Sequence, residues 1–410
     1  MAFLQSSSRQ IFAAIARATI FPVMAALVSA IVLAPAAQAQ TYSVLHTFTG
    51  GQDGAHSDAG VTVDAAGNLY GTTALGGAYG GGVVFKMTRH GSAWTPAPLY
   101  SFTGDTDGGS PEARVVFGPD GSLYGTTAYG GGNGAFGVVF NLKPPAQPCQ
   151  RVSCPWTETV LHRFTGGSDG AYPGQGDLVF DQAGNVYGTT QGYGSVGTVF
   201  KLTPQGGGWT ETILYTFTHS ENPVGGVILD AAGNLYGTTS SGGIGFGTVY
   251  ELSPSGSGWT EQTLYTFQNN GDGSTPIGGV VFDAEGNLYG GTASVGGTVY
   301  QLQPSNGSWI FHKLYAFPAS SDGPDDSLTL DATGNLYGTV PSGGSGFGAA
   351  FKLSRSGDTW TETNLYNFGQ GGQGVYPYGS VALDASGNLY STTNAGGGGA
   401  GAGVVWEITP

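Results

Sequence analysis

Carboxylates that precede glycine recur along this chain, and they are the residues best suited to bind a ligand. If these carboxylates ring one opening, their crowded charge would favour a cation, an amine or a polyol. Asp-Gly is also a common turn pair, so a purely structural role is the alternative. The aspartates at the recurring place are Asp53, Asp107, Asp169, Asp272 and Asp322.

Tyrosines flanked by glycine form a second recurring feature. A tyrosine ring offers a flat apolar face with a polar hydroxyl, which suits stacking on a sugar or contact with a protein. Packing between neighbouring repeats is the alternative. The predicted ligand-binding tyrosines are Tyr79, Tyr129 and Tyr193.

Signals for catalysis are weak. A lyase or hydrolase would need a side chain that removes a proton and one that protonates a leaving group. His219 beside Glu221 and His56 near two aspartates are weak candidates for that work. The chain has no nucleophile elbow, zincin motif or Ser-x-x-Lys motif. The sequence therefore assigns no catalytic residue and favours a protein without enzymatic activity.

Calcium is the ion that the sequence suggests, because Ca²⁺ prefers hard oxygen ligands. Asp105 and Asp107 are weak candidates, and Asp322 with Asp325 and Asp326 is the other. Neither group has the spacing of a full calcium-binding loop. No resident metal or other cofactor is therefore predicted.

The first 39 residues resemble a secretory signal peptide. Arg9 and Arg17 supply a positive start, residues 20–33 are largely apolar, and Ala37-Gln38-Ala39 is a cleavage pattern. A retained membrane anchor is the alternative, but the apolar run is short for a span of about 20 residues. We expect cleavage after Ala39, followed by a single domain over residues 40–410. That domain is expected to be a secreted, extracellular or periplasmic monomer with no membrane span.

The only two cysteines, Cys149 and Cys154, lie in an insertion that lengthens one repeat. Two close cysteines in an exported chain usually pair. A disulfide between them is therefore expected, with a redox or metal site as the alternative.

The charge balance restricts the partners. Acidic residues outnumber basic ones by 27 to 12, and the formal net charge is −15. Binding to nucleic acid needs clusters of lysine and arginine on one face, which this chain lacks. A nucleic-acid partner is therefore excluded, and a glycan or an extracellular protein remains.

Seven copies of one pattern determine the expected fold. Each copy contains Asp-x-x-Gly-Asn-Leu-Tyr, a glycine-rich stretch, Val-Phe-Lys-Leu, Trp-Thr-Glu-Thr and Leu-Tyr-x-Phe, with substitutions. Aspartate and glycine at this spacing predict a tight hairpin, so the repeated aspartate is interpreted as a turn residue. Strands that are apolar on both faces, repeated about every 50 residues, predict an all-β, seven-bladed propeller of four-stranded blades. The tyrosines of the seven copies are Tyr70, Tyr124, Tyr187, Tyr236, Tyr289, Tyr337 and Tyr390.

The two ends of the pattern predict a closed ring. Residues 42–48 match a fourth strand, whereas residues 404–408 match a third strand. The count of strands is complete only if the N-terminal strand joins the last blade, which removes an exposed edge. In such a disc the Asp-Gly linkers and the glycine–tyrosine loops are expected on one face, and the hairpins on the other.

The phrases Gly-Asn-Leu-Tyr-Gly-Thr-Thr, Gly-Thr-Val-Phe-Lys-Leu and Trp-Thr-Glu-Thr-x-Leu-Tyr-x-Phe resemble the GloVer tandem repeat of exported bacterial proteins. The resemblance covers about residues 42–409 and implies an exported, β-propeller-like protein. A more distant likeness is to NHL-type repeats and streptogramin lyase, which also use a Gly-Asn-Leu-aromatic turn.

Three classes of function remain open. The favoured one is an exported binding or scaffold propeller that recognises a glycan or protein on the Asp-Gly and tyrosine face. A lyase or hydrolase of the streptogramin-lyase type is the second. A structural or adhesive extracellular repeat protein without a discrete site is the third, because propellers host many functions.

Overall fold

A computed structural model describes residues 40–132, 134–145, 156–192, 196–218, 221–357, 359–369 and 372–410. These residues form 28 strands and no helix. Every strand belongs to a four-stranded antiparallel sheet, and the seven sheets are the blades of a propeller. The all-β, seven-bladed prediction is confirmed.

Six blades follow one another along the chain. Blade 1 contains β2 (Val61–Val63), β3 (Leu69–Thr73), β4 (Val83–His90) and β5 (Ala93–Ser101). Blade 2 contains β6 (Val116–Phe117), β7 (Leu123–Thr127), β8 (Val138–Lys143) and β9 (Thr157–Arg163). Blade 3 contains β10 (Val179–Phe180), β11 (Val186–Thr190), β12 (Thr198–Gln205) and β13 (Gly208–Thr216).

The next three blades repeat this order. Blade 4 contains β14 (Ile228–Leu229), β15 (Leu235–Thr239), β16 (Thr248–Ser255) and β17 (Gly258–Thr266). Blade 5 contains β18 (Val281–Phe282), β19 (Leu288–Gly291), β20 (Thr298–Ser305) and β21 (Ser308–Ala316). Blade 6 contains β22 (Thr329–Leu330), β23 (Leu336–Val340), β24 (Ala349–Ser356) and β25 (Thr359–Asn367).

Blade 7 joins the two ends of the repeat region. It contains β26 (Ala382–Leu383), β27 (Leu389–Thr393), β28 (Val404–Thr409) and β1 (Thr41–Thr47). Strand β1 pairs antiparallel with β28, from Thr41 opposite Thr409 to Thr47 opposite Val404. The prediction that the N-terminal strand completes the last blade is confirmed.

The hairpins between first and second strands explain the repeated aspartate. In blade 1 one oxygen of Asp64 accepts hydrogen bonds from the amides of Ala66 and Asn68, at 2.9 and 2.8 Å. The other oxygen accepts from the Asn68 side chain at 2.7 Å and from the Tyr70 hydroxyl at 3.1 Å. The interpretation of this aspartate as a turn residue is confirmed. Equivalent bonds recur at Asp181, Asp230, Asp283, Asp331 and Asp384.

We expect Asp331→Asn to lower the free energy of unfolding at pH 7 by about 1 kcal/mol, after allowance for solvent screening. Burial opposes the charge on Asp331, but the bonds from Asn335 and Thr333 outweigh burial and lower its pKa to about 2. A lowered pKa stabilises the fold above the unfolded value of about 3.9, and this stability is lost as pH falls towards 2. Urea unfolding at several pH values should show the difference between variant and wild type shrinking below pH 4. A difference that stays constant down to pH 2 would contradict the assignment.

The apolar core lies between blades rather than within them. One buried cluster combines Val61 and Phe85 of blade 1 with Tyr390 and Val405 of blade 7. Six further clusters each occupy one of the other interfaces, which we call seams. Tyrosine–tryptophan pairs cross five of the seams at 5.9–6.4 Å between ring centroids: Tyr70–Trp156, Tyr124–Trp209, Tyr236–Trp309, Tyr289–Trp360 and Tyr390–Trp94.

Closure at the seam between blades 7 and 1 depends on Phe48, which follows β1. Its side chain is fully buried and lies 5.3 Å from the Phe85 ring of blade 1. Its amide donates to the Gly403 carbonyl of blade 7 at 3.0 Å. Phe48 therefore fixes the end of the N-terminal strand to both blades.

Phe48→Ala should lower the free energy of unfolding by about 3–4 kcal/mol, because it leaves a cavity at the closing seam. Urea unfolding followed by circular dichroism measures this loss. Phe102→Ala is the matched control, since Phe102 contacts Phe140 in the same way across the seam between blades 1 and 2. A loss below 1 kcal/mol for Phe48→Ala, with a full loss for Phe102→Ala, would show that the ring does not depend on its closing strand.

Candidate functional site

A cavity of about 300 Å³ lies where the linkers that enter the blades converge. Each linker connects the fourth strand of one blade to the first strand of the next. Four carboxylic acid side chains contribute to its wall. Its lining comprises Asp58, Glu112, Gln175, Gly225, Ile277, Asp325, Asp326, Tyr378 and Asn394.

The linkers contact each other directly at the edge of this cavity. Gly60 forms a parallel bridge with Ser380 of the neighbouring linker. A Cβ atom on Gly60 would lie 2.3 Å from the Ser380 carbonyl oxygen, and Gly60 also has φ of +80°. Glycine is therefore required there, because any side chain would push neighbouring linkers apart.

Arg114 lies near the cavity and is paired with acidic side chains. The Nε atom of Arg114 donates to Asp177 at 2.8 Å, and the Arg114 amide donates to the same carboxylate at 3.1 Å. Burial opposes the charge on Arg114, but Asp177 and Asp326 outweigh it and raise its pKa. The Ser380 amide donates to Asp326 at 2.9 Å, which ties this group to blade 7.

The cavity carboxylates are crowded. Burial, with repulsion from Asp322 and Asp326, raises the pKa of Asp325 to about 7. Burial also raises the pKa of Asp58 and of Glu112, and the charge of Asp58 adds to the shift of Glu112. Buried carboxylates of like charge resist ionisation together, so a bound cation would be favoured.

A groove of about 320 Å³ adjoins the cavity and shares Glu112 and Gln175 with it. Tyr129 and Tyr172 form one wall, with ring centroids 5.6 Å apart and planes at 66°. The Tyr129 side chain is 53% exposed. The groove therefore presents an aromatic surface next to a carboxylate.

The Asp-Gly aspartates do not line the cavity. Asp107 accepts from the Tyr100 hydroxyl at 2.9 Å and from the Thr103 amide at 3.0 Å. Asp272 likewise accepts from Tyr265 and from two amides of its own turn. These carboxylates connect linkers to the outer strands through hydrogen bonds. A ligand-binding role for them stays a prediction.

The other three Asp-Gly aspartates are also engaged. Asp53 accepts from the Thr49 amide and contacts His46 Nε2, both at 3.0 Å. Asp169 accepts from the amide and hydroxyl of Thr165 at 2.8 and 2.6 Å. Asp322 accepts from the Ser342 hydroxyl at 2.7 Å.

The glycine of the Asp-Gly pair is fixed by a close approach. Gly54 has φ of +95°, and a Cβ atom there would lie 2.0 Å from the Thr73 hydroxyl oxygen. The linker thus packs tightly on the end of the second strand. This contact explains why the pair recurs without any need for a ligand.

The remaining predicted residues are dispersed. Tyr79 is 68% exposed and does not line the cavity or the groove. Glu221 accepts from the Thr218 hydroxyl at 2.9 Å. His56 lies at the cavity edge, with Nδ1 3.4 Å from the Asn394 side-chain oxygen, while the Asn394 amide donates to Asp58 at 2.6 Å. Tyr193 and His219 lie outside the described residues.

The two predicted groups of calcium ligands lie in different surroundings. The Asp107 carboxylate is occupied by Tyr100 and Thr103, and Asp105 is exposed. Asp325 and Asp326 lie in the cavity wall, where Asp326 accepts from two amides. Calcium binding stays a prediction. Cys149 and Cys154 lie outside the described residues, as does the signal peptide expected at 1–39.

The sequence did not indicate the cavity residues Glu112, Ile277 and Tyr378, because they occupy a variable position. They follow a proline that recurs in six linkers, as in Pro111-Glu112, Pro276-Ile277 and Pro377-Tyr378. The residue after this proline is glutamate, glycine, valine, isoleucine, aspartate or tyrosine, whereas the proline is constant in these six linkers. Variation inside an otherwise regular repeat is the signal that would have indicated the site.

The fold and the cavity define a β-propeller with an acidic central opening. The chain belongs to the Gloeobacter/Verrucomicrobia repeat family, whose model matches residues 31–195, 154–296 and 245–410. The resemblance to the GloVer repeat is therefore confirmed. A search of the curated proteins finds no match.

Solved structures share the fold at low sequence identity. The extracellular domain of a putative one component system from B. thetaiotaomicron is 12% identical with a TM-score of 0.52, covering 90% of this chain and 40% of that one. PorZ, a surface component of the type-IX secretion system of Porphyromonas gingivalis, is 17% identical with a TM-score of 0.50, covering 85% and 46%. This chain thus spans less than half the length of either protein. Among the described residues no helix is long and apolar enough to cross a membrane.

We expect Asp325→Asn to be more stable than wild type at pH 8 by about 1–3 kcal/mol, after allowance for solvent screening. The raised native pKa means that the folded wild type keeps a proton on Asp325 that the unfolded chain releases near pH 4. The carboxyl group's contribution to wild-type stability is therefore complete below about pH 4 and is lost as pH rises through about 7. Urea unfolding at pH 4 and pH 8 measures the difference, which should be small at pH 4. Equal stability at pH 8 would show that Asp325 is not in a crowded acidic site.

Proposed function

We propose that this chain is an extracellular binding protein that holds an amine-bearing glycan on the face where the linkers meet. The observation that carries the proposal is the position of Glu112, which lines both the acidic cavity and the groove beside Tyr129. An aromatic face next to a carboxylate suits a sugar that has an apolar ring face and an amino group.

Charge supports an amine rather than a neutral sugar. Asp58, Glu112, Asp325 and Asp326 line the cavity, and the nearby Arg114 is already paired with Asp177. In the free protein these carboxylates repel each other, and a bound cation reduces that cost. An acidic ligand would add to the repulsion.

Polar side chains and size support a sugar. Gln175, Gln191 and Asn394 supply amide donors and acceptors for hydroxyl groups. Volumes of about 300 and 320 Å³ lie at the lower end of the range of small-ligand sites. A concave opening of this kind suits a glycan better than a broad protein surface, which is the alternative ligand.

The extracellular location is part of the proposal. Its supports are the signal-peptide pattern of residues 1–39 and the likeness in fold to extracellular or surface proteins. The lyase and structural alternatives remain predictions.

Isothermal titration calorimetry at pH 7.5 with a glucosamine trisaccharide and its N-acetylated counterpart tests the ligand class. We expect wild type to bind the amine form at least about 10-fold more tightly, because acetylation removes the positive charge. Glu112→Gln and Tyr129→Ala should each weaken that binding about 10-fold.

Tyr79→Ala is the matched control, because Tyr79 is an exposed tyrosine in the equivalent loop of blade 1 but lies outside the groove. It should bind like wild type. Equal affinity for the two sugars would disprove recognition of the amine. Loss of binding in Tyr79→Ala but not in Tyr129→Ala would place the glycan elsewhere.

A further inference from the structure

We propose that His162, Asp169 and Glu211 form a binding site for a divalent transition-metal ion, with Zn²⁺ the best fit. The three residues lie at the seam between blades 2 and 3. His162 is on β9 and Glu211 is on β13, the outermost strands of the two blades. Asp169 is in the linker that connects those blades. One ligand atom from each lies within 4.8 Å of the other two.

Two of the separations are close to those of ligands around one ion. His162 Nε2 lies 3.3 Å from Glu211 Oε1 and 3.7 Å from Asp169 Oδ2. Zn²⁺ binds imidazole nitrogen and carboxylate oxygen at about 2.0–2.2 Å, so tetrahedral ligand atoms lie about 3.3–3.6 Å apart. Three protein ligands would leave a fourth position for water or another molecule.

Two of the three ligand atoms are buried without a hydrogen bond. His162 Nε2 and Glu211 Oε1 are both shielded from solvent, and their 3.3 Å contact with each other does not have the geometry of a hydrogen bond. Their side chains are only 20% and 16% exposed. A buried polar atom without a partner costs free energy, and a metal ion would satisfy both atoms at once.

The third ligand is held in place. Asp169 accepts from the Thr165 amide and hydroxyl, which orient the carboxylate with Oδ2 towards His162. Such outer contacts orient ligands in known metal sites.

The repeat supplies an internal comparison. The seam between blades 1 and 2 has Tyr100, Asp107 and Glu158 at the equivalent places, and there the tyrosine hydroxyl donates to the aspartate at 2.9 Å. The seam between blades 7 and 1 has His46 and Asp53, but Pro96 replaces the glutamate. Among the described seams, the one between blades 2 and 3 combines histidine, aspartate and glutamate.

The ligand types select the ion. An imidazole nitrogen suits transition metals, whereas Ca²⁺ and Mg²⁺ prefer oxygen ligands alone. The site is therefore distinct in chemistry and position from the acidic central cavity. An ion here would link two blades through their outer strands and the linker.

Titration calorimetry with ZnCl₂ on chelator-treated, dialysed protein without a histidine tag tests the site. We expect one Zn²⁺ per chain and a higher melting temperature with Zn²⁺ than without it. His162→Tyr introduces the residue type that the repeat has at the equivalent position, Tyr100, so the variant should keep the fold. It should weaken binding by at least about 100-fold, since loss of outer contacts alone costs about 10–100-fold.

Two variants complete the test. His46→Tyr removes a histidine from a seam without the glutamate and should leave Zn²⁺ binding unchanged. Tyr100→His recreates the three-ligand set between blades 1 and 2 and should add a second equivalent of Zn²⁺. Wild-type affinity in His162→Tyr, or no stoichiometric binding by wild type, would overturn the proposal. Tyr100→His without a second equivalent would contradict the argument from seam geometry.

Discussion

Packing between neighbouring blades is the interaction on which the rest of this structure depends. The second strand of each blade is buried along its whole length, as in β15, because blades cover both of its faces. The buried clusters described here each combine residues of two blades. A blade with two apolar faces cannot be stable at the end of a row, so closing the ring removes the two ends that would otherwise need covering.

The closing seam uses the same tyrosine–tryptophan contact as four of the other seams. Trp94 packs on Tyr390 between blades 1 and 7 just as Trp156 packs on Tyr70 between blades 2 and 1. Residues that make these contacts are fixed by the repeat. The positions that vary between repeats do not make these contacts, so they can carry ligand-binding side chains.

Aspartate has two different roles in this structure. Asp331 in a hairpin accepts several hydrogen bonds, which lower its pKa to about 2 and make its charge stabilising. Asp325 in the central cavity has burial and like charges around it, which raise its pKa to about 7. Residue type alone therefore does not distinguish a turn residue from a member of an acidic site.

The sequence by itself determined the all-β class, the number of blades, the hairpin role of Asp64 and its equivalents, and closure by residues 42–48. These follow from local turn chemistry and from counting a repeat, which need no knowledge of distant contacts. Only the tertiary structure decided that Asp107 accepts a hydrogen bond from Tyr100. It also decided that Asp58, Glu112 and Asp325 line one cavity. Those three are far apart in the chain, and the ring brings them together. The contact between His162 and Glu211 across a seam could not be predicted from the sequence for the same reason.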